Sequence, residues 1–138
     1  MKKKLLFLCT GNSCRSQIAE GLARKYLKNY QITSAGTNPE EVNSHAIKSM
    51  QEIGIDISNY KSKKLKIEDL NKFDLIITLC GDARDKCPTI DTCKHIHWDI
   101  NDSAKLNGSS TEVRLIFSEV RDIIYNNIKL LKEKLNND

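Results

Sequence analysis

The residues best equipped for chemistry lie close to the N-terminus, in the run Cys9-Thr10-Gly11-Asn12-Ser13-Cys14-Arg15-Ser16. A thiol precedes a guanidinium in the spacing Cys-x5-Arg, with small and hydrogen-bonding residues between them. Such a loop turns its backbone N–H groups inward around the glycine, and the first N–H groups of a following helix point the same way. Arg15 adds a planar fork of donors suited to a tetrahedral oxyanion. Cys9 stands at the mouth of this positive field. Thiolate is the nucleophilic form of cysteine, and helix N-termini and cations lower a thiol's pKa. One loop is therefore expected to activate a nucleophile and to bind the anion it attacks. Ser16 is placed to hydrogen-bond Cys9, and Asn12 to brace the loop. In isolation the pattern is weak, because a buried strand-end cysteine and a helix-terminal arginine would look the same. What strengthens it is a strand before, a helix after, Gly11 inside and Ser16 beside it.

Those elements are legible. Leu5 to Cys9 is a continuous apolar run, suited to a strand buried on both faces of a parallel sheet. Arg15 to Asn29 has Ile18, Leu22 and Tyr26 at a spacing of four, with Ala19, Ala23 and Leu27 beside them, and reads as a helix. Tyr30 to Ala35 reads as a short strand ending at Gly36. Asn43 is an N-cap candidate for a helix carrying Ala46, Ile47, Met50 and Ile53, stopped by Gly54. Ile67 to Asn71 suggests a helical turn, and Phe73 to Leu79 is the strongest strand signal. Gly81 to Cys87 is a short helical segment ending at Pro88. His95 to Trp98 is a short strand. Thr111 to Leu135 is a long amphipathic helix, striped by Val113, Ile116, Phe117, Val120, Ile124, Ile128, Leu131 and Leu135, with Ser110-Thr111-Glu112 as its capping start. This alternation predicts one α/β domain over residues 1–138: an open four-stranded parallel sheet with helices on both faces. Sheets of this kind place their sites at the carboxyl ends of strands.

Composition narrows the function classes. The chain has 138 residues, 39% of them apolar, which is enough for one core without disulfide staples. The net charge of +4 is too mild to support a dedicated nucleic-acid binder. The basic run Lys61-Ser62-Lys63-Lys64-Leu65-Lys66 reads as solvated surface that also steers anions. No apolar stretch approaches the roughly 20 residues of a membrane span. The apolar run after Met1-Lys2-Lys3-Lys4 is shorter than a signal peptide wants. Five cysteines, Cys9, Cys14, Cys80, Cys87 and Cys93, with no export signal point to a reducing, cytoplasmic setting in which they serve metal, catalysis or packing. Cys93, His95 and His97 alternate onto one strand face but do not have a familiar metal-ligand spacing. No metal site is expected.

The segment Cys9-Thr-Gly-Asn-Ser-Cys-Arg-Ser-Gln-Ile-Ala-Glu-Gly21 resembles the phosphate loop of the low-molecular-weight protein tyrosine phosphatase superfamily. More narrowly, it resembles the thioredoxin-coupled arsenate reductases built on that fold. Ser34-Ala35-Gly36, Ile55-Asp56-Ile57-Ser58, Thr78-Leu79-Cys80, Cys87-Pro88 and His97-Trp98 extend the likeness over nearly the whole chain. Gln17 stands where the phosphatase branch usually has proline. The resemblance implies that Thr10 to Ser16 bind arsenate and that Cys9 attacks it. Cys80 would then attack Cys9 and release arsenite, Cys87 would attack Cys80, and thioredoxin would reduce the resulting disulfide. It implies no tightly bound cofactor. It also implies a general acid at Asp102, with Asp99 as competitor, although Ser103 replaces the usual proline after Asp102. No tyrosines follow to flank an aryl substrate. Asn12, Glu20 and Ser34 match a K+ site of the family, but Lys63 stands where its aspartate would be, so K+ dependence is expected to be weak or absent. The alternative is a phosphatase using Cys9, Arg15 and Asp102. A non-catalytic oxyanion-binding module is a third reading. A monomer is expected.

Seven residues of helix span about 10.5 Å, whereas a disulfide needs Cα atoms roughly 4.4–6.8 Å apart. If Gly81 to Cys87 is helical when reduced, it must unwind to join Cys80 to Cys87. Gly81 and Pro88 make it weakly helical and easy to end.

Overall fold

The computed structural model describes residues 2–87, 93–100 and 108–136. Its elements run β1 (Lys3–Cys9), α1 (Arg15–Tyr26), β2 (Tyr30–Gly36), α2 (Ser44–Gln51), a 3-10 turn (Ile67–Lys72), β3 (Leu75–Thr78), α3 (Gly81–Lys86), β4 (Lys94–His97) and α4 (Ser110–Asn136). The strands form one parallel sheet in the order β2-β1-β3-β4. This is the expected open α/β sheet.

Successive residues of a strand face opposite sides of a sheet. Leu5, Leu6, Phe7 and Leu8 are all fully or almost fully buried, so both faces are covered over β1. α1 buries Ile18, Ala19, Leu22 and Ala23, and packs against β1, β2, α2 and α4. α4 buries Val113, Phe117, Val120, Ile124, Ile128 and Leu131 of the expected stripe. Arg121 ties α4 to α2, its Nη1 donating to the Ser49 carbonyl at 2.7 Å and to Glu52 at 3.0 Å. Arg114 and Arg121 together hold the Glu52 carboxyl below its ordinary pKa.

The boundaries differ from the sequence reading where hydrogen bonds redirect the chain. α1 stops at Tyr26, because Leu27 N–H closes on the Ala23 carbonyl and Tyr30 N–H on that of Leu27, turning the chain into β2. The strand expected over Phe73 to Leu79 is regular only over Leu75–Thr78, the stretch in register with Leu5 to Leu8. Ser109, not the Ser110-Thr111 pair, caps α4: its hydroxyl accepts from Glu112 N–H at 3.2 Å and its carbonyl from Val113 N–H. Asn43 caps α2 as expected, its side chain accepting from His45 N–H.

β1 has β2 on one side and β3 on the other, so the chain reverses direction across the sheet beside it. The crevice at such a switch point opens at the carboxyl end of β1, and Cys9 is the last residue of that strand.

Candidate active site

The loop from Cys9 to Cys14 is built by turning its carbonyls outward. The Cys9, Thr10, Gly11 and Ser13 carbonyls accept from the N–H groups of Thr37, Asn38, Glu40 and Asn43, at 2.8–3.1 Å. The segment after β2 therefore runs alongside the loop and binds its outer edge. The Asn12 carbonyl takes Gln17 Nε2 at 2.9 Å and Ser62 Oγ at 2.7 Å, and the Cys14 carbonyl takes Ile18 N–H. With the carbonyls held outside, the loop amides are left to face the other way, as in an anion-binding nest. One of them, Asn12 N–H, donates to Cys9 Sγ at 3.3 Å.

The left-handed residue in this loop is Asn12, at φ +48°. Asparagine tolerates that conformation because its short polar side chain bonds locally. Here Asn12 Nδ2 donates to Ser16 Oγ at 2.8 Å and to Ser34 Oγ at 2.9 Å, while Oδ1 accepts from Lys63 N–H. Gly36 is a site determinant that sequence reasoning passed over. A Cβ there would lie 2.5 Å from the Thr10 carbonyl oxygen and 2.9 Å from Asn12 N, so only glycine lets β2 end against the loop. Gln17, which departs from the usual proline, has a structural task in the loop. It fastens the Asn12 carbonyl and reaches the Lys61 carbonyl at 3.3 Å.

Cys9 is buried, and its Sγ lies 2.9 Å from Ser16 Oγ. Burial pushes the Cys9 thiol above its ordinary pKa. The Ser16 hydroxyl and amide, the Asn12 amide and the Arg15 charge all pull the other way. Burial thus opposes the lowering expected from the loop. The lowering groups are present as foreseen, but desolvation outweighs them, a term the sequence pattern does not contain. Arg15 is buried at the start of α1, and its Nη1 donates to the Leu79 carbonyl at 3.3 Å and the Ile100 carbonyl at 2.9 Å. Two carbonyls on one nitrogen fix the guanidinium plane.

The second thiol arrives from β3. Cys80 is buried, with Sγ 3.2 Å from Thr10 Oγ1, the hydroxyl of the residue next to Cys9. Its side chain also caps α3, accepting from Ala83 N–H at 3.3 Å. Cys87 lies half-buried at the other end of α3, where burial raises its thiol pKa. All five cysteines are reduced, and the intervening segment is helical in this state. Asp102 lies outside the described residues. Asp99 is exposed, and the next residue, Ile100, supplies the carbonyl that holds Arg15.

The residues matching a cation site are bonded among themselves and to cations of the chain. Ser34 gives its proton to Glu20 Oε1 at 2.6 Å, and Asn12 turns its Nδ2 toward Ser34. Lys63 Nζ stands 3.9 Å from that same carboxylate oxygen, with Arg24 Nε 3.0 Å from the other. Cations of the chain already face the carboxylate. His95 Nε2 and His97 Nδ1 both reach Thr78 Oγ1, at 3.1 and 2.8 Å. Among the described residues no three His, Cys, Asp or Glu side chains converge on a metal position. Trp98 packs its ring on Phe7, as a core residue does.

The chain is 47% identical over 136 residues to the arsenate reductase of Bacillus subtilis (strain 168), covering 96% of this chain and 98% of that protein. It is similar to a solved arsenate reductase in the phosphate binding state, with 33% identity, a TM-score of 0.73, and coverage of 96% of this chain and 98% of that one. It is also similar to the low-molecular-weight protein tyrosine phosphatase from T. tengcongensis, with 26% identity, a TM-score of 0.79, and coverage of 96% and 99%. The family model for low-molecular-weight phosphotyrosine protein phosphatases matches residues 4–138. With its cysteine-arginine loop at the carboxyl end of a central parallel strand, the chain belongs to the low-molecular-weight phosphotyrosine protein phosphatase family.

Proposed function

We propose that the protein reduces arsenate to arsenite by a relay of Cys9, Cys80 and Cys87, and that thioredoxin resets it. The observation that carries this reading is the second thiol. Cys80 Sγ sits against Thr10, next to the nucleophile, and begins the short helix that ends at Cys87. Hydrolysis needs no such pair. The relatives named as arsenate reductases support the same choice.

In the relay Cys9 thiolate attacks arsenic(V), and a hydroxyl leaves as water after protonation. Cys80 thiolate then attacks Cys9 sulfur. The sulfur–arsenic bond breaks, its electron pair stays on arsenic, and arsenite departs as arsenic(III), leaving the Cys9–Cys80 disulfide. Cys87 thiolate attacks Cys80 and frees Cys9. Two thiols have lost two electrons, and an external dithiol restores them. The loop amides and Arg15 hold the oxyanion and offset its charge. Asp102 is the proposed proton donor to the leaving oxygen.

The reaction is proposed to need no K+, since Lys63 and Arg24 already accompany Glu20. Activation by K+ over Na+ at equal ionic strength would contradict this. No helix among the described residues is long and apolar enough to cross a membrane. The proposed setting is the cytoplasm, where five thiols stay reduced, and the proposed state is a monomer.

The test is NADPH oxidation with arsenate, thioredoxin and thioredoxin reductase. Arsenate-dependent turnover that vanishes in Cys87→Ser is the expected result. Hydrolysis of an aryl phosphate without NADPH oxidation would instead make the protein a phosphatase using Cys9, Arg15 and Asp102, the activity for which its family is named. Weak hydrolysis beside reduction is compatible with the relay, because both reactions share the oxyanion cradle.

A further inference from the structure

Asp82, the second residue of α3, makes contacts the relay leaves unexplained. One of its oxygens, Oδ2, accepts from Thr10 Oγ1 at 3.3 Å and from Thr37 Oγ1 at 3.1 Å. Thr10 follows β1 and Thr37 follows β2, so a single carboxylate oxygen ties the start of α3 to the ends of two strands. The backbone of those ends is already joined, Thr37 N–H to the Cys9 carbonyl and Asn38 N–H to that of Thr10. Asp82 thus fastens α3 to strand ends that backbone bonds already brace.

The Thr10 hydroxyl has a single proton and two neighbours, Asp82 Oδ2 and Cys80 Sγ. An ionised carboxylate only accepts. When Thr10 gives its proton to Asp82, the contact with Cys80 is made by the Cys80 S–H donating to Thr10. A Cys80 thiolate has no proton to give and draws the Thr10 proton to itself. We propose that Asp82 is a positioning residue of the redox step: it latches α3 in its helical form and competes with Cys80 for the Thr10 proton, so that its release both arms Cys80 and lets the segment unwind toward Cys87. This rests on the relay reading for its purpose, though not for its test. Among the described residues, charged groups near this corner include Arg15 from α1, bonded to the Leu79 carbonyl, and Arg84 on α3, whose Nη2 lies 3.7 Å from the position of a Gly81 Cβ. Cys9 precedes Thr10 on β1. None of these is altered in the variants below.

The experiment uses the reduced full chain without arsenate. It measures amide hydrogen exchange at Ala83, Arg84 and Cys87, and the site-resolved rate of Cys80 alkylation by iodoacetamide at neutral pH. Thr37→Val removes one strand of the latch and keeps the carboxylate. It should speed exchange roughly fivefold, the scale of one hydrogen bond, with alkylation rising in proportion. Thr37→Ser should restore both rates. Asp82→Ala should speed exchange at least as much, and alkylation by about a further threefold, the scale of a modest hydrogen bond from Thr10 to the thiolate. Unchanged exchange in both Thr37→Val and Asp82→Ala overturns the latch. Alkylation that merely follows exchange in Asp82→Ala overturns the competition for the proton. If Asp82→Ala does not fold, the Thr37 pair still decides the latch, and Asp82→Asn, which keeps the shape and loses the charge, decides the competition by the same alkylation excess. A failed reductase assay leaves these outcomes untouched, and their failure leaves the assay untouched.

Discussion

The loop around Cys9 and the segment from Cys80 to Cys87 both present thiols at the same end of the sheet, yet they are built in opposite ways. In the loop, the carbonyls of Cys9 to Cys14 are each held by named donors from three other parts of the chain. Asn12, Ser16 and Ser34 join below it in a buried hydrogen-bonded chain ending on Glu20. The segment is a helix of six residues with Arg84 and Asp85 exposed, secured by backbone bonds such as Arg84 N–H to the Cys80 carbonyl and Cys87 N–H to that of Ala83. Oxyanion stabilisation wants donors that do not reorganise during the reaction. A disulfide across a helix wants a segment whose opening is inexpensive. Each region has the stability its proposed step requires.

The largest expected effects come from removing thiols. Cys9→Ser should abolish both arsenate reduction and aryl phosphate hydrolysis. Cys80→Ser and Cys87→Ser should abolish reduction alone, because hydrolysis uses neither thiol. Assaying both activities on the three variants checks this, and loss of hydrolysis in Cys87→Ser would mean the regions are not separable.

A backbone clash should break the rigid side next. Gly36→Ala puts a methyl 2.5 Å from the Thr10 carbonyl, which should cost about 1–3 kcal/mol and lower both activities. Urea unfolding with parallel assays measures it. A wild-type midpoint would show that the loop yields more easily than its hydrogen bonds suggest.

The pH dependence sharpens the contrast in protonation. Burial raises both the Cys9 and the Cys87 thiol. A thiol whose folded pKa exceeds its unfolded one stabilises the fold in full below the unfolded value, about 8.5, and loses that contribution as pH rises through the folded value. Unfolding free energy should therefore fall above that pH, and fall less steeply in Cys9→Ser. Alkylation of Cys9 should still be accelerating there. A plateau in alkylation below neutral pH would show that the amides and Arg15 win over desolvation.

The smallest expected effect is on the movable side. A Cβ at Gly81 meets nothing closer than Arg84 Nη2 at 3.7 Å, so Gly81→Ala should strengthen α3 by roughly 0.5 kcal/mol. It should slow Cys80–Cys87 disulfide formation about twofold, read by quenched-flow thiol trapping. Faster formation would argue against unwinding as part of that step.

Much of this is legible in the sequence itself. The run from Leu5 to Cys9, the four-residue spacing in α1 and the stripe on α4 report burial directly, because periodic apolar residues have few ways to leave water. Cys9, Arg15 and Ser16 are near neighbours in the chain, so their meeting is a local event that spacing alone specifies. Cys80 and Cys87 were legible as a pair through resemblance, but not their relation to Thr10.

The tertiary structure decided what depends on residues distant in sequence. Gly36 matters because β2 ends against the loop, and nothing near Gly36 in the chain announces that. Asn12 takes the left-handed position because Ser34 and Lys63 receive its side chain. Asp82 meets Thr10 and Thr37 only once the sheet has brought β1, β2 and β3 into register. The Cys9 thiol followed the same logic: its lowering groups are written in the adjacent sequence, whereas the burial that outweighs them is a property of the whole fold. Local order determined which groups stand at the site; packing determined how deeply each is buried and which distant residues it meets.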